Sequence, residues 1–183
     1  GVAIISYKSL FLANEIEFSK KLNKLLRSKG FKPRTVFIST LKNLKIQNKL
    51  IKLFKKENIE IILTTTSFDS ILYKDKNNNK KYSFFEILNV PVLQLLTSSI
   101  SRKDWYDSTI GMNSIDLLMQ IIIPEFDGRI ITVPCTFKEI KTLDKNLYSE
   151  ITTYKYDKDG IVWIIKLISN YLKLSSLKNI QKK

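Results

Sequence analysis

Three short apolar runs, each separated from the next by an amphipathic stretch, limit the folds open to this chain more than any other feature. Val2–Ser6 reads VAIIS, Thr35–Ser39 reads TVFIS and Ile59–Thr64 reads IEIILT. Continuous apolar runs of this length fit strands covered on both faces, whereas a strand with one wet face alternates. Between the first two runs, Phe18, Leu22, Leu25 and Leu26 recur at helical spacing. Asn14 and Glu17 form a capping-box-like pair ahead of that helix, and Gly30 closes it. Between the second and third, Ile46, Leu50, Leu53 and Phe54 mark another amphipathic helix with lysines on its outer face. A β-α-β-α-β start with connections of this length implies right-handed crossovers. The expected fold class is therefore α/β: three layers, a mainly parallel sheet with helices on both faces, and a flavodoxin-like start.

The remainder is less regular. Lys74–Lys81 (KDKNNNKK) reads as an exposed, mobile insertion. Ser83–Leu88 suits a short helix and Val90–Leu96 a fourth strand. Ser101 can cap a short helix through Trp105, and Ser114 a helix over Ile115–Ile123 that Pro124 ends. Asp127-Gly128 is a turn, Arg129–Val133 a strand, Thr136–Thr142 irregular, and Ile151–Tyr156 a strand with one wet face. Ile161, Ile164, Ile165, Ile168 and Leu172 form the stripe of a final helix, with Trp163 assigned to the core beside it. Residues 1–174 read as a single α/β domain, or as a 1–96 core with a 97–174 extension, and 175–183 as a linker or tail. A start at Gly1, straight into a strand, suggests a piece of something longer.

Composition removes several chemistries. The 183 residues contain no histidine and one cysteine, Cys135. Histidine-based zinc sites, Ser-His-Asp triads and Cys-His pairs are excluded, as is an internal disulfide. Any metal held here would need oxygen ligands, and Cys135 suits an inert buried thiol. The longest apolar run, Leu117–Pro124, is broken by Gln120 and is too short to span a membrane. No signal-peptide layout opens the chain, so a cytoplasmic location is expected. Lysine and arginine number 31 against 17 acidic residues, a formal charge of +14. Arginine stands only at positions 27, 34, 102 and 129. Lysine-rich surfaces of this kind are solvated faces or a polyanion site; base readout favours arginine. No specific nucleic-acid partner is expected, only salt-sensitive adherence.

Loops after strand C-termini are where such sheets bind ligands: Tyr7–Ala13, Ser39–Asn43 and Thr65–Ser70. None is glycine-rich, so dinucleotide and P-loop sites are not expected. Hydroxyls and free N–H groups at Thr65, Thr66 and Ser67 can hold a polar substituent or simply cap a turn.

The stretch Val90–Thr132, VPVLQLLTSSISRKDWYDSTIGMNSIDLLMQIIIPEFDGRIIT, carries a resemblance. Val90–Gln94, Trp105, Ser108, Gly111, Ser114, Asp116–Leu117, Met119, Pro124–Glu125 and Asp127–Thr132 match, in order, the pattern of the cobaltochelatase/magnesium chelatase large-subunit family (CobN type). Weaker similarity extends over VAIISYKS, KGFKPRTVFISTLKN and TYKYDKDGIVWIIKLISNYLKL. Lys8 stands where that family usually has arginine, and Leu10–Ala13 lacks its Gly-Asn-Thr character.

The resemblance implies a fragment of a large, tetrapyrrole-binding subunit working with separate AAA+ ATPase subunits. In the cobalt branch, which GRIIT favours, cobalt enters hydrogenobyrinic acid a,c-diamide in cobalamin biosynthesis. In the alternative, magnesium enters protoporphyrin IX. The enzyme would be a ligase forming nitrogen–metal bonds. Cobalt or magnesium would be its substrate, partner subunits would use ATP, this segment would bind no cofactor, and the fragment alone would be inactive. Insertion needs a base for the pyrrole N–H protons; Glu125 and Asp127 are the carboxylates in the matching motif. The plainer reading makes Asp127-Gly128 a turn, with Arg129 paired to Glu125. Arg129 could instead clamp a substrate oxygen, and Trp105 could stack on a tetrapyrrole face or cover the sheet edge. Thr65 and Ser67 complete the candidate substrate contacts. A stand-alone small-molecule-binding α/β domain is the competing reading.

Overall fold

The computed structural model describes residues 1–67, 73–74, 81–109, 111–144 and 149–180. The interior of the Lys74–Lys81 insertion (75–80), the end of the third-strand loop (68–70) and the last residues of the tail (181–183) lie outside the described residues. In chain order the elements are β1 (Val2–Tyr7), α1 (Lys8–Leu12), α2 (Glu17–Ser28), β2 (Pro33–Ile38), α3 (Leu44–Lys56) and β3 (Ile61–Thr64). A two-residue ribbon, β4 (Tyr73–Lys74) and β5 (Lys81–Tyr82), precedes α4 (Phe84–Leu88), β6 (Val92–Ser98) and α5 (Arg102–Asp107). Then come α6 (Ser114–Leu117), a π-helical turn (Leu118–Ile122), α7 (Ile123–Phe126), β7 (Ile130–Asp144), β8 (Ser149–Tyr156) and α8 (Lys158–Ile180).

The main sheet runs β2-β1-β3-β6-β7-β8. Its first five strands are parallel, and β8 returns antiparallel along β7. Leaving out the ribbon, the parallel strands stand in the doubly wound order 2-1-3-4-5, whose switch point lies between the first and third strands. Alternation inside the apolar runs feeds two cores. Val2, Ile4, Ile61, Leu63, Leu93 and Leu95 face α2 and α8, meeting Leu22, Leu26, Ile161 and Ile164. Ala3, Ile5, Ile62 and Val92 face α3 and α4, meeting Leu50, Phe54, Phe84 and Phe85. Burial on both faces is why these runs lack polar alternation.

Several local expectations are corrected. Residues 8–12 form α1 rather than loop, and Asn14 does not cap α2. It adopts φ +58°, a left-handed conformation asparagine tolerates, and turns the chain after α1. Glu15 anchors that turn to β8: its carboxylate accepts from the Thr153 hydroxyl at 2.8 and 2.9 Å and from the Tyr154 N–H at 3.2 Å. Asn113, not Ser114, caps α6, accepting from the Asp116 N–H at 2.8 Å. Thr136–Thr142 is part of the long strand β7.

Pro124 does not end its helix. It lacks an N–H and its ring would clash with the carbonyl four residues back. The π-helical turn relieves both problems: the Ile123 N–H reaches back five residues to Leu118 O, and α7 follows. Along this α6–π–α7 segment the amphipathicity is inverted. Asp116 and Gln120 are buried, while Ile115, Leu118, Ile122 and Phe126 are exposed.

Trp163 is 43% exposed, so it is not a core residue. The buried positions of α8 are Ile161, Ile164, Ile165 and Ile168, and position 163 falls outside their stripe. What seats α8 is Gly160. A Cβ there would lie 2.1 Å from the Pro134 carbonyl oxygen, so only glycine lets the helix approach β7 this closely. The Asp157 carboxylate accepts from the Gly160 N–H at 2.8 Å, satisfying a free donor in the first turn.

Candidate functional site

At the C-terminal edge of the sheet, over the ends of β1 and β3, lies a cavity of about 300 Å³. Ser6 and Tyr7 from the end of β1, Thr65 and Ser67 from the end of β3, and Thr97 and Thr136 from β6 and β7 supply hydroxyls. Met119, Asp116 and Gln120 close one side, and Phe18, Leu10 and Tyr154 the other. The β3 end is ordered by its own hydroxyls. The Thr65 hydroxyl donates to Ser6 Oγ at 3.2 Å, and the Ser67 N–H donates to the Tyr7 phenol oxygen at 3.2 Å. Thr64 and Thr66 hydroxyls lie 2.8 Å apart.

The α6 wall is a polar brace. Asp116 Oδ2 accepts from both the N–H and the hydroxyl of Ser99 at 2.7 Å. Gln120 Oε1 accepts from the Thr97 N–H at 2.6 Å, its amide donates back to Thr97 O, and it also reaches Asp116 Oδ1 at 3.3 Å. Burial, together with the negative charges of Asp116 and Glu15, pushes the Tyr154 hydroxyl above its usual range, so it stays protonated and neutral. Neither lysine nor arginine is among the lining residues.

The residues singled out from sequence fall in three places. Thr65 and Ser67 line the cavity. Arg129 lies inside the fold, its side chain fully buried. It donates to Gln94 Oε1 at 2.8 Å and to the Thr66 carbonyl, and its guanidinium carbon sits 4.9 Å from the Phe85 ring centroid. Its ion pair is with Asp127 at 2.8 Å, which corrects the expected pairing to Glu125. Glu125 is exposed on α7, and its carbonyl accepts from the Gly128 N–H in the turn. By holding the carbonyl of Thr66, Arg129 fixes the backbone between the two hydroxyls that line the cavity. Asp127 borders a different groove, of about 540 Å³, beside the start of β6.

Trp105 is apart from all of these. It packs on Phe137 with ring centroids 5.9 Å apart, in an outer groove of about 400 Å³ shared with Tyr106 and Trp163. Cys135 is fully buried against β6, its thiol donating to Leu96 O at 3.0 Å, and burial pushes its pKa far above the usual thiol range. Among the described residues no group of three or more Cys, Asp or Glu could hold a metal ion, and no helix is long and apolar enough to cross a membrane.

Sequence reasoning missed Asp116, Gln120, Gln94 and Thr136. The first two carried a signal. They stand four apart in an otherwise apolar helix, which puts them on one face.

Comparison with known proteins follows the same outline. The family model described as CobN/Magnesium Chelatase matches residues 1–183. An uncharacterized protein of Methanocaldococcus jannaschii is 32% identical across the whole chain. The aerobic cobaltochelatase subunit CobN of Pseudomonas aeruginosa is 25% identical, again across the whole chain. The chain spans only 15% and 14% of those two relatives. Among solved structures, the catalytic subunit of cobaltochelatase from Mycobacterium tuberculosis superposes with a TM-score of 0.68. That match has 22% identity and covers 90% of this chain and 14% of the other. The whole-length match to the family model and the shared fold lead to one assignment: the chain belongs to the CobN/magnesium chelatase family.

Proposed function

We propose that this chain is one domain of the large, tetrapyrrole-binding subunit of an ATP-dependent metal chelatase, and that it frames the tetrapyrrole site rather than carrying out proton transfer. The observation that carries this reading is the family match over residues 1–183. The naming of its Pseudomonas relative as a cobaltochelatase subunit favours cobalt and a corrinoid, hydrogenobyrinic acid a,c-diamide, over magnesium and protoporphyrin IX. Metal is substrate here.

The chemistry of the residues supports a framing role. Thr65 and Ser67 present neutral hydrogen-bonding groups at the strand ends. Arg129, bound to Thr66, Gln94 and Asp127, positions that edge and meets no solvent. Asp127 is engaged by Arg129, and neither it nor the exposed Glu125 lines the strand-end cavity, which favours a base for the pyrrole protons supplied from another part of the subunit. Trp105 offers a flat apolar face in the outer groove for the tetrapyrrole or a neighbouring domain. On this reading AAA+ partner subunits hydrolyse ATP, and this chain carries no glycine-rich phosphate loop of its own. A cytoplasmic location accords with that division of labour.

The test uses the intact large subunit that carries this domain. Binding of hydrogenobyrinic acid a,c-diamide and of protoporphyrin IX is followed by absorbance. Cobalt or magnesium insertion is then measured with AAA+ subunits and ATP. Micromolar binding of the corrinoid with ATP-dependent cobalt insertion is expected. Binding of neither tetrapyrrole overturns the proposal.

A further inference from the structure

Within the strand-end cavity one group stands unused. The Thr136 side chain lines it, is 1% exposed, and its Oγ1 has no hydrogen-bond partner among the described residues. Buried hydroxyls are nearly always satisfied, so this one waits for a partner that enters the cavity. The charge of the lining narrows what can enter. Asp116 is its lone ionised residue, and Ser99 and Gln120 already bond its oxygens. An anionic group would meet a carboxylate with no lysine or arginine beside it. A cation would find the carboxylate already engaged by three donors and would lose its water shell among neutral hydroxyls. A neutral group that both donates and accepts fits without either penalty. Among the hydroxyls of the lining, Leu10, Phe18, Ile115 and Met119 give a short aliphatic stem something to pack on. The volume, about 300 Å³, is at the small end for ligand sites and admits a side arm rather than a macrocycle.

We infer that the cavity between the ends of β1 and β3 is a subsite for a neutral primary carboxamide on a short aliphatic arm, with Thr136 and Thr65 as its hydrogen-bonding partners. The inference deepens the proposed function and rests on it only for the identity of the larger molecule that bears the arm.

The test titrates the ¹⁵N-labelled chain with propionamide, propionate and propylammonium at neutral pH and follows backbone amide shifts. Propionamide is expected to shift Thr65, Ser67, Thr97 and Thr136 saturably, with an affinity at least about tenfold above that of either ion. Replacing Thr136→Val is expected to weaken it by about tenfold, because the isostere cannot bond; Thr136→Ser should retain it. Equal or tighter binding of propionate, shifts confined to other surfaces, or a Thr136→Val chain that binds as well as its parent would each overturn the inference. The wild-type comparison of the three probes decides the matter even if a variant misfolds. The chelatase reading is separable: an intact subunit that takes up no tetrapyrrole, while this chain still binds propionamide, overturns that reading alone.

Discussion

Replacing Arg129 with methionine should unfold the protein far more readily than any surface change. The side chain is fully buried and its Asp127 partner only 18% exposed. Methionine fills similar volume but removes the ion pair to Asp127 and the donor that the Thr66 carbonyl and Gln94 Oε1 share. Removing one partner of a buried pair typically costs about 3–5 kcal/mol. With a urea slope of about 2 kcal/mol per molar for a domain of this size, the midpoint should fall by about 2 M. Urea unfolding followed by far-ultraviolet circular dichroism measures it. Arg129→Lys keeps the charge but loses the planar fork, so it should recover only part of the loss. In a double-mutant cycle, Arg129→Met with Asp127→Asn should cost less than the two single losses added together. A midpoint drop below about 0.5 M at unchanged slope, or strict additivity, would refute the structural account and return Arg129 to the role of a ligand clamp.

Three further outcomes are expected. Gly160→Ala gains helix propensity but puts a methyl 2.1 Å from the Pro134 carbonyl oxygen; a loss of at least about 2 kcal/mol in urea is expected, and neutrality would contradict the close approach of α8 to β7. Burial raises the Cys135 pKa, so the folded state keeps a proton that the unfolded chain releases above about pH 8.5. Its contribution is present below that pH and is lost as pH rises. Cys135→Ala should therefore flatten the alkaline fall in stability by up to about 1.4 kcal/mol per pH unit, and parallel pH profiles would count against it. Asp116→Asn loses charged acceptors for Ser99 and should cost about 2 kcal/mol, or about 4–8 °C in thermal midpoint; an unchanged melting curve would show the brace to be dispensable.

The strands of the first half were legible because complete burial leaves a strong mark: Val2–Ser6 is apolar on both alternations since α2 and α8 cover one face and α3 and α4 the other. Local signals failed where a distant residue settled a close competition. Asn14 had the chemistry of a cap, but Glu15 is tied to Thr153, 138 positions away, and that contact turns Asn14 into a terminator of α1. By its ordinary rule Pro124 ends a helix, whereas here a wider turn absorbs it. Trp163 illustrates the reverse: its apolarity points to the core, but the spacing of Ile161, Ile164, Ile165 and Ile168 places it off the buried stripe. Thr65 and Ser67 were found by topology, since strand ends are where doubly wound sheets open. The partners of Arg129 lie in the loop after β3, on β6 and in the turn before β7; assigning Asp127 to the turn alone leaves Glu125 as the pairing carboxylate, whereas the turn itself sets Asp127 against the guanidinium.

The wide turn at Leu118–Ile122 also sets a phase. A π-turn holds one residue more than an α-turn over the same axial distance. Deleting one residue there would restore regular winding with the phase kept, whereas winding all of its residues as regular α-helix would rotate everything before the turn by about 100° relative to everything after it. Asp116 would swing away from Ser99 if the Arg129 end stayed fixed, or Asp127 away from Arg129 if the cavity end stayed fixed. The two ends of the segment are thus locked to each other through helix length. A relative lacking the equivalent of Pro124 and one residue shorter here would align only with a gap, and that gap, placed between the positions of Asp116 and Asp127, would mark the same wall built with regular winding.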